Sequence, residues 1–307
     1  MTDPSTEEQG YSAAAEVGAV RTRRTWYHNA WIELRKAPIT AWFGMIVILG
    51  YVIVALFAPL IAPYGEADSS FAAYAPWSPE HVFGTDQIGR DILSRMIYGA
   101  RNTIGIALAT TLLAFLIGGS LALWASISRG WVDLVLSRIV EILMAIPSLI
   151  FALMLLSIYG STTLSLIIII AVLDSTRVFR LARAVAMNVV VMEYVEAARL
   201  RGEGIVWVMR REILPNIMPP LVAEFGLRFC FVFLTIAALS FLGVGIQPPT
   251  ADWGSMVREN ASRIQFAQFD IKAGLTPLLP AMAIALLTIA VNFVVDWFLM
   301  KTSGLKE

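Results

Sequence analysis

The sequence predicts an all-α, polytopic membrane protein with about six transmembrane helices. Hydrophobic residues make up 58% of the 307 residues, charged residues only 15%, and the mean hydropathy is +0.71. This apolar share is higher than that of an ordinary soluble domain. The apolar residues also form unbroken runs of about 20 residues, the length that a helix needs to cross a bilayer.

About six such runs can be placed along the chain. They cover residues 41–62, 103–125, 138–158, 162–176, 218–243 and 276–299. Pro147 lies inside the third run and removes a backbone donor, so we expect a kink there. Cys230, the only cysteine, falls inside the fifth run, which excludes an intrachain disulfide and a site built from several cysteines.

These runs divide the chain into segments with different expected roles. The segments are a polar N-terminal tail (1–40), a first span with an external loop (41–102), a transmembrane domain (103–300) with a cytoplasmic loop near 183–215, and a C-terminal tail (301–307). In the external loop we expect a short amphipathic helix between Asp91 and Arg101.

Basic side chains are distributed unevenly between the loops, and loops rich in Lys and Arg stay on the cytoplasmic side. One basic group precedes the first span and another lies between the fourth and fifth spans. The two groups are Arg21, Arg23, Arg24, Arg35 and Lys36, and Arg177, Arg180, Arg183, Arg199, Arg201, Arg210 and Arg211. With about six crossings both groups lie on one face, which predicts cytoplasmic N and C termini.

The loop between the fourth and fifth spans is longer than a simple connection requires. Residues 192–201 are expected to form a helix, followed by a break at Gly202, where a positive φ is permitted. Residues 205–213 are expected to form a second helix that ends before Pro215. The apolar residues of this second helix recur at helical spacing, which predicts a surface that docks onto another protein.

At these residues the sequence resembles the membrane-spanning subunit of bacterial ABC importers. The cytoplasmic loop of that family carries Glu-Ala-Ala, three residues, Gly, and a spacer that ends in Leu-Pro. The matching residues are Glu196, Ala197, Ala198, Gly202, Leu214 and Pro215. One position departs, because Glu212 stands where the pattern has Ile, although Ile213 follows.

Three further stretches narrow the resemblance. FGTDQIGRDILSRMIYGAR at 83–101, EILMAIPSL at 141–149 and FLGVGIQPPTADWG at 241–254 are similar to the C-type subunit of the dipeptide, oligopeptide and nickel permease group. The resemblance implies a type I ABC importer permease-like bundle in the bacterial inner membrane. It also implies a permease subunit that translocates peptides or a related small solute.

In that family the loop seats in a groove of a cytoplasmic ATPase. The resemblance therefore implies a coupling role for Glu196, Ala197, Ala198, Arg199, Arg201, Gly202, Gly204, Leu214 and Pro215. The implied partners are a homologous permease subunit, two cytoplasmic ABC ATPase subunits, an external solute-binding protein and membrane lipid, and no nucleic acid. ATP and Mg²⁺ would bind in the ATPase subunits, and no cofactor is expected in this chain.

One stretch resembles a nucleotide-binding motif only superficially. GTDQIGRD at 84–91 has the glycine spacing of a P-loop, but Arg90 and Asp91 occupy the positions that need Lys and Ser or Thr. Asp91 would also repel a phosphate. We therefore expect a transport subunit that is not itself an enzyme.

Charged residues inside the spans are informative because each costs about 2.5 to 3.5 kcal/mol at the bilayer centre. Glu141, Glu224 and Arg228 are the candidates for the substrate path, and Asp296 lies in the last run. Glu224 and Arg228 are one helical turn apart, so they either neutralise each other or contact the charged termini of a peptide-like substrate. The sequence leaves both possibilities open.

Two other classes of function remain open at this point. An ion-coupled secondary transporter would use Glu141, Asp174, Glu224 and Asp296 as a proton relay. A membrane scaffold would use the cytoplasmic loop only to recruit a soluble partner.

The candidates for an external docking surface are Asp86, Arg90, Asp91, Gln247, Asp252 and Trp253. The alternative is that these segments only seal the bundle and punctuate the turns. His28 and His81, the only histidines, lie outside the spans, which gives no support for a nickel site in this subunit.

Overall fold

The structure is a computed structural model that describes Arg35, residues 37–128 and residues 130–302. Most of the predicted tails, including Arg21, Arg23, Arg24 and Lys36, lies outside the described residues. By its contacts the chain divides into Met1–Pro38 and Ile39–Glu307, and every helix discussed below belongs to the second unit.

The second unit is helical, and within the described residues it contains no strand beyond an isolated bridge between Thr85 and Asp91. The α-helices are α1 (Ile39–Leu56), α2 (Ala58–Ile61), α3 (Ile92–Ser128), α4 (Gly130–Ala145), α5 (Ser148–Tyr159), α6 (Thr163–Val190), α7 (Glu193–Leu200), α8 (Ile205–Val208), α9 (Leu214–Phe241), α10 (Trp253–Asn260), α11 (Ile271–Leu275) and α12 (Leu278–Thr302). A π-helical turn, Met209–Ile213, joins α8 to α9, and a 3₁₀ helix, Ala261–Phe266, follows α10.

The all-α membrane fold is confirmed. Among the described residues, four stretches are long and apolar enough to cross a membrane, and α4 with α5 would make a fifth as one broken span. The four stretches are Ile39–Leu56, Ile92–Ser128, Ile205–Phe241 and Ile271–Lys301. The fourth predicted run, 162–176, is helical within α6, but the following turns of α6 already carry Arg177 and Arg180. By length and composition the spans therefore number four or five rather than about six.

The predicted kink at Pro147 is a complete break. Helix α4 ends at Ala145, α5 begins at Ser148, and the two helices are bent by 90°. Because proline has no N–H, it cannot continue the hydrogen-bond ladder of α4. Its carbonyl instead accepts the N–H of Phe151 at 3.0 Å and so begins the ladder of α5.

Two predicted helix boundaries are wrong. The expected short helix from Asp91 to Arg101 is the first part of the 37-residue helix α3. The helix expected to end before Pro215 instead continues through the π turn into α9. A π turn widens the helix and makes its hydrogen-bond ladder irregular. The missing N–H of Pro215 therefore falls where the ladder is already interrupted, and the helix does not end there.

The pair α3 and α6 forms the centre of the bundle, and Gly118 is the point of closest approach. A Cβ atom at Gly118 would lie 2.3 Å from the backbone oxygen of Ser175 and 2.9 Å from Cβ of Val178. A Cβ atom at the adjacent Gly119 would meet nothing within 4 Å. Glycine at 118 therefore allows the two backbones to touch, which is how helices commonly pack in membranes.

Two apolar cores lie at opposite ends of α3. One contains Ile92 and Ala100 with residues of α9 and α10, such as Phe233 and Trp253. The other contains residues of the last two turns of α3, residues of α6, and residues of the loop that the sequence predicts to bind a partner. Its members include Ala122, Ala125, Phe179, Ala186, Val190, Val195, Ala198, Val208 and Ile213. Helix α3, about 55 Å long at 1.5 Å per residue, therefore connects the two ends of the bundle.

The segment 62–91, called the cap below, is fixed to the first of these ends by buried charges. Oδ2 of Asp86 accepts hydrogen bonds from Nε of Arg90 and Nη1 of Arg95, each at 2.7 Å. Oε2 of Glu259 accepts from Nη2 of Arg90 at 2.8 Å and from Nη1 of Arg95 at 2.6 Å. These four side chains, called the cap network, join the cap, α3 and α10.

The glycines of the GTDQIGRD stretch belong to a tight turn in the cap. Gly89 has a φ of +82°, and a Cβ atom there would lie 2.0 Å from the backbone oxygen of Phe71. The N–H of Gly89 donates to the carbonyl of Asp86, and the N–H of Asp86 donates to the carbonyl of Arg90. The glycine spacing therefore reflects tight packing of one loop upon another.

Substituting Gly118 by Ala should lower the stability of the isolated subunit, whereas Gly119→Ala should not. The added methyl group at 118 meets a backbone oxygen that cannot rotate away, and overpacking of this kind costs about 1 to 3 kcal/mol. At 119 the space is open, and the higher helix propensity of Ala contributes up to about 1 kcal/mol. Thermal unfolding of both variants in detergent measures the difference. Equal midpoints would contradict the close contact of α3 with α6.

Neutralising Glu259 should destabilise the cap end of the bundle. Glu259→Gln leaves two buried arginines with one carboxylate, and breaking a buried ion pair costs about 3 to 5 kcal/mol. The matched control is Glu80→Gln in the exposed part of the cap, where a surface change stays within about 0.5 kcal/mol. Limited proteolysis of the cap together with thermal unfolding measures both variants, and a Glu259→Gln protein as stable as the control would refute the role of the network.

Candidate functional site

Residues 192–215, called the coupling hairpin below, follow α6 and contain α7, a turn, α8 and the π turn. Gly202 ends the first arm with a φ of +81°, which confirms the predicted break. Its N–H donates to the carbonyl of Arg199 at 2.9 Å, and the N–H of Glu203 donates to the carbonyl of Ala198 at 3.2 Å. A glycine with left-handed geometry is the usual way to close the end of a helix.

One side of the coupling hairpin is packed against the bundle. Val195, Ala198, Val208 and Ile213 are almost completely buried in the core formed with the ends of α3 and α6. Ala198 therefore points toward the bundle, although the sequence placed it among the residues that contact a partner. The reason is its position three residues after Val195, on the same face of α7.

The other side of the coupling hairpin exposes large apolar side chains. Leu200 is 83% exposed, and exposed apolar residues also flank the start of α8. The set comprises Met192, Tyr194, Leu200, Ile205, Val206 and Trp207. Six large apolar side chains exposed within sixteen residues favour an interaction site over a solvated turn.

Most of the predicted coupling residues lie on this exposed side. Glu196, Ala197, Arg199, Arg201, Gly202, Gly204 and Pro215 are exposed, and Leu214 is half-buried. A depression of about 680 Å³ is lined by Val206, Trp207, Arg210, Arg211 and Pro215. The exposed surface is thus apolar with a basic rim.

The sequence interpretation missed Leu200, Val206 and Trp207, whose only signal is their position beside the turn glycines.

The coupling hairpin is continuous with a membrane-spanning helix. Helix α8, the π turn and α9 form one uninterrupted 37-residue stretch, Ile205–Phe241. No loop therefore separates the exposed apolar surface of the hairpin from the stretch that could cross the membrane.

A second group of charged side chains lies between α6 and α9. Nε of Arg228 is 2.6 Å from Oε1 of Glu224, which confirms that these two residues pair. Nη1 of Arg228 is also 3.7 Å from Oδ1 of Asp174, and Arg177 approaches the same oxygen at 3.8 Å. The Arg228 guanidinium lies over the ring of Phe231, with Cζ 4.7 Å from its centroid.

This charge cluster, Asp174, Glu224 and Arg228, is poorly satisfied. The three side chains are only 11 to 17% exposed. Nevertheless Nε and Nη1 of Arg228 form no hydrogen bond of good geometry within the described residues. A buried guanidinium that is close to one carboxylate and farther from a second can exchange partners or bind a charged group of a ligand.

Glu141, the third residue predicted for the substrate path, is not part of this cluster. It pairs with Arg138 at 2.7 Å, both side chains are largely exposed, and it lines a separate depression of about 420 Å³ with Arg180 and Arg183. Asp296 is exposed on α12. Of the four acids that a proton relay would need, the ion-pair contacts bring together only Asp174 and Glu224, through Arg228.

Five of the six residues predicted for external docking are buried and cannot form a surface by themselves. Asp86, Arg90 and Asp91 are inside the cap, Asp252 and Trp253 are inside the bundle, and only Gln247 is exposed. Contacts with residues far away in the sequence bury these side chains, and the sequence alone does not show such contacts.

The two acids outside the cap network act as helix caps. Oδ2 of Asp91 accepts the N–H of Ser94 at 2.8 Å, and its Oδ1 is 3.0 Å from Nδ1 of His81. Oδ1 of Asp252 accepts the N–H of Gly254 at 3.0 Å at the start of α10. Burial raises the pKa of Asp252 above its usual value. Among the described residues no group of His, Cys, Asp and Glu is arranged to hold a metal.

Known proteins match the chain over most of its length. Residues 114–300 match the family described as binding-protein-dependent transport system inner membrane component, and residues 25–79 match the N-terminal TM domain of oligopeptide transport permease C. A crystal structure of an amino acid ABC transporter with histidines overlaps 68% of this chain and 94% of that chain, with 20% sequence identity and a TM-score of 0.49.

Three curated relatives illustrate the similarity. The dipeptide transport system permease protein DppC of Alkalihalophilus pseudofirmus is 33% identical over 88% of this chain and 87% of the relative. The di/tripeptide transport system permease protein DppC of Pseudomonas aeruginosa is 36% identical, over 80% and 83%. The glutathione transport system permease protein GsiD of Pectobacterium atrosepticum is 30% identical, over 89% of each.

The first family model covers more than half of the chain and includes the coupling hairpin, the charge cluster and the last span. The relatives match along more than two thirds of their own length as well as of this chain. The chain therefore belongs to the binding-protein-dependent transport system inner membrane components and is a permease subunit of such an importer.

Proposed function

We propose that this permease subunit carries peptides across the inner membrane, driven by ATP that separate cytoplasmic subunits hydrolyse. The observation that carries the coupling part of the proposal is the exposed apolar surface of the coupling hairpin, which is continuous with a spanning helix. The peptide part rests on the relatives, which are named for dipeptides, di/tripeptides and glutathione.

In this proposal each of two cytoplasmic ABC ATPase subunits binds one permease, and this chain pairs with a homologous permease subunit. The exposed hairpin surface, which includes Leu200 and has Trp207 beside Arg210, fits an apolar groove with acidic edges. ATP and Mg²⁺ belong to the ATPase subunits, and this chain contributes no cofactor site.

ATP-driven closure of the ATPases would displace α8, and the uninterrupted helix Ile205–Phe241 would carry that displacement into the membrane. The opposite end of α9 leads through residues 242–252 to α10, where Glu259 is bonded to Arg90 and Arg95. A movement that starts at the hairpin thus reaches the cap, where an external solute-binding protein would deliver the substrate.

The proposed orientation places the coupling hairpin and both termini in the cytoplasm, which requires an even number of crossings, such as the four unbroken stretches provide. The hairpin side of the bundle carries the basic residues of the long loop, and such residues are retained inside. The cap, at the other end of α3, then faces outward.

The charge cluster is the proposed contact for the substrate. A peptide presents an ammonium and a carboxylate, and the cluster presents two carboxylates and a guanidinium that is close to only one of them. Because Arg228 lies on α9, the helix that the coupling hairpin moves, a change of its partners would accompany the switch in access.

Replacing Gly202 by Val should impair coupling, and Gly204→Val is the matched control. Gly202 has a positive φ that a β-branched residue avoids. Gly204 has a φ of −69°, which Val adopts, and neither position has a neighbour within 4 Å of an added Cβ atom. We expect Gly202→Val to lose ATPase co-purification or to hydrolyse ATP without uptake, at a strain of about 1 to 3 kcal/mol.

Both activities can be measured with the complete complex in proteoliposomes. Normal assembly with normal ATP-driven uptake in Gly202→Val would contradict the proposed coupling. Uptake that persists in energised vesicles depleted of ATP would instead support an ion-coupled transporter.

Substituting Arg228 by Gln should weaken transport of peptides with a free C-terminal carboxylate. A hydrogen bond to a charged group contributes about 1.5 to 3 kcal/mol, so the apparent KM should rise about tenfold or more. Peptides with an amidated C terminus should be affected much less. Arg138→Gln is the control, because that side chain is largely exposed.

Glu224→Gln tests the complementary contact with the peptide ammonium, using N-acetylated peptides for comparison. Assembly with the ATPases must first be shown to be normal in both variants. Unchanged kinetics for every charged substrate in both variants would remove the cluster from the substrate path.

A further inference from the structure

The segment between α10 and α12 exposes a row of large apolar side chains. Phe269 is 82% exposed and Ile271 is 72% exposed, and Ile264 and Phe266 are also exposed. These four residues, called the apolar strap below, lie at the cap end of the bundle, because α10 is bonded to the cap through Glu259. None of the proposed steps of transport uses them.

The apolar strap continues into the exposed side of the last span. Exposed apolar residues recur at intervals of three or four positions through α11 and the first half of α12. The series is Ile271, Leu275, Leu278, Met282, Leu286 and Ile289. Such spacing places all six on one side of the helical stretch Ile271–Lys301, which is itself long and apolar enough to cross the membrane.

Two charged groups near the strap are bonded to the protein, whereas the Lys272 side chain is exposed. Nη1 of Arg263 donates to the carbonyl of Thr85 in the cap at 2.9 Å, and its guanidinium lies 5.4 Å from the centroid of the Tyr74 ring. Burial lowers the pKa of Arg263. Oδ1 of Asp270 accepts the N–H of Lys272 at 2.9 Å and caps α11. The strap side chains thus face outward while the adjacent Arg263 fastens the segment to the cap.

The apolar strap lies close to the start of the last span. Ile271 precedes Leu278, the first residue of α12, by seven positions, or about 10 Å along a helix. An apolar surface at an interface is buried about 5 to 10 Å into the boundary between headgroups and acyl chains. Ile271, which also begins the apolar stretch Ile271–Lys301, therefore lies close enough to the span for the strap to reach the bilayer surface.

We propose that Ile264, Phe266, Phe269 and Ile271 insert into the bilayer surface at the cap end and anchor the cap to phospholipid. The lipid surface follows from the continuity of the strap with the exposed stripe of α12. The Arg263 to Thr85 bond then holds the cap at a set height above the membrane.

The test uses spin labels on single introduced cysteines in the complete complex, reconstituted in phospholipid vesicles. The native Cys230 is buried, so wild-type complex treated with the spin label is expected to remain unlabelled. That control shows that only the introduced thiol reacts. The variants are F269C in the strap, E80C in the exposed cap as the aqueous control, and M282C on α12 as the lipid control. The readout is the ratio of accessibility to oxygen over accessibility to a water-soluble nickel chelate.

We expect the ratio at 269 to be several-fold above that at 80 and to approach that at 282. A ratio at 269 equal to that at 80 would overturn the anchor. Protection of 269 from both reagents would assign the strap to a protein interface instead, with the solute-binding protein if protection requires its addition and with the partner permease if it does not.

A second measurement avoids substitutions in the strap. Wild-type complex is reconstituted with lipids that carry a photoreactive group near the headgroup, and the labelled peptides are identified by mass spectrometry. Labelling within 261–275 is expected, and its absence while the span itself is labelled would overturn the proposal.

Discussion

The contact of α3 with α6 at Gly118 is the constraint on which the rest of the bundle depends. Lipid tails are as apolar as the helices, so association in the membrane relies on close packing rather than on the hydrophobic effect. Helix α3 carries Arg95 of the cap network near one end and, near the other, Ala125 of the apolar core that includes residues of the coupling hairpin. Helix α6 carries Asp174 and leads directly into the coupling hairpin. Each end of the bundle is therefore built upon this one pair of helices.

The two groups of buried charges differ in the distances between their arginines and carboxylates, although Arg95 and Arg228 each have two buried nitrogens without a hydrogen bond of good geometry among the described residues. In the cap network Arg90 and Arg95 reach Asp86 and Glu259 through hydrogen bonds of 2.6 to 2.8 Å. Between α6 and α9, Arg228 is 2.6 Å from Glu224, but the distances from Arg228 and Arg177 to Asp174 are 3.7 and 3.8 Å, longer than a hydrogen bond. Because desolvated charges need hydrogen bonds to offset their burial, the first group favours a single arrangement. In the second, only the contacts of Asp174 are long, so Asp174 loses little if the neighbouring arginines move, as the proposed mechanism requires.

The sequence predicts the features that depend on neighbours along the chain. The fold class, the break at Gly202 and the pairing of Glu224 with Arg228 all follow from periodicity, from backbone freedom or from one helical turn. The bond between Arg95 and Glu259 joins residues 164 positions apart, and no local pattern indicates it. For that reason Asp86 and its neighbours looked like a docking surface, and the role of Asp174 beside Arg228 became visible only in the folded chain.

In the proposed mechanism, the prolines of α9 determine how a displacement of the coupling hairpin would enter the membrane. Pro215, Pro219 and Pro220 remove three backbone donors within two turns, directly after the π turn. On the packed side Ile217 is fully buried, so the helix stays attached to its neighbours there. Beyond Leu221 the ladder contains no further proline, and Phe233, Ile236 and Leu239 are buried in the core at the cap end. Bending is thus confined to the two turns next to the hairpin, and the remainder of α9 responds as a rigid rod that changes its tilt and carries Arg228 with it.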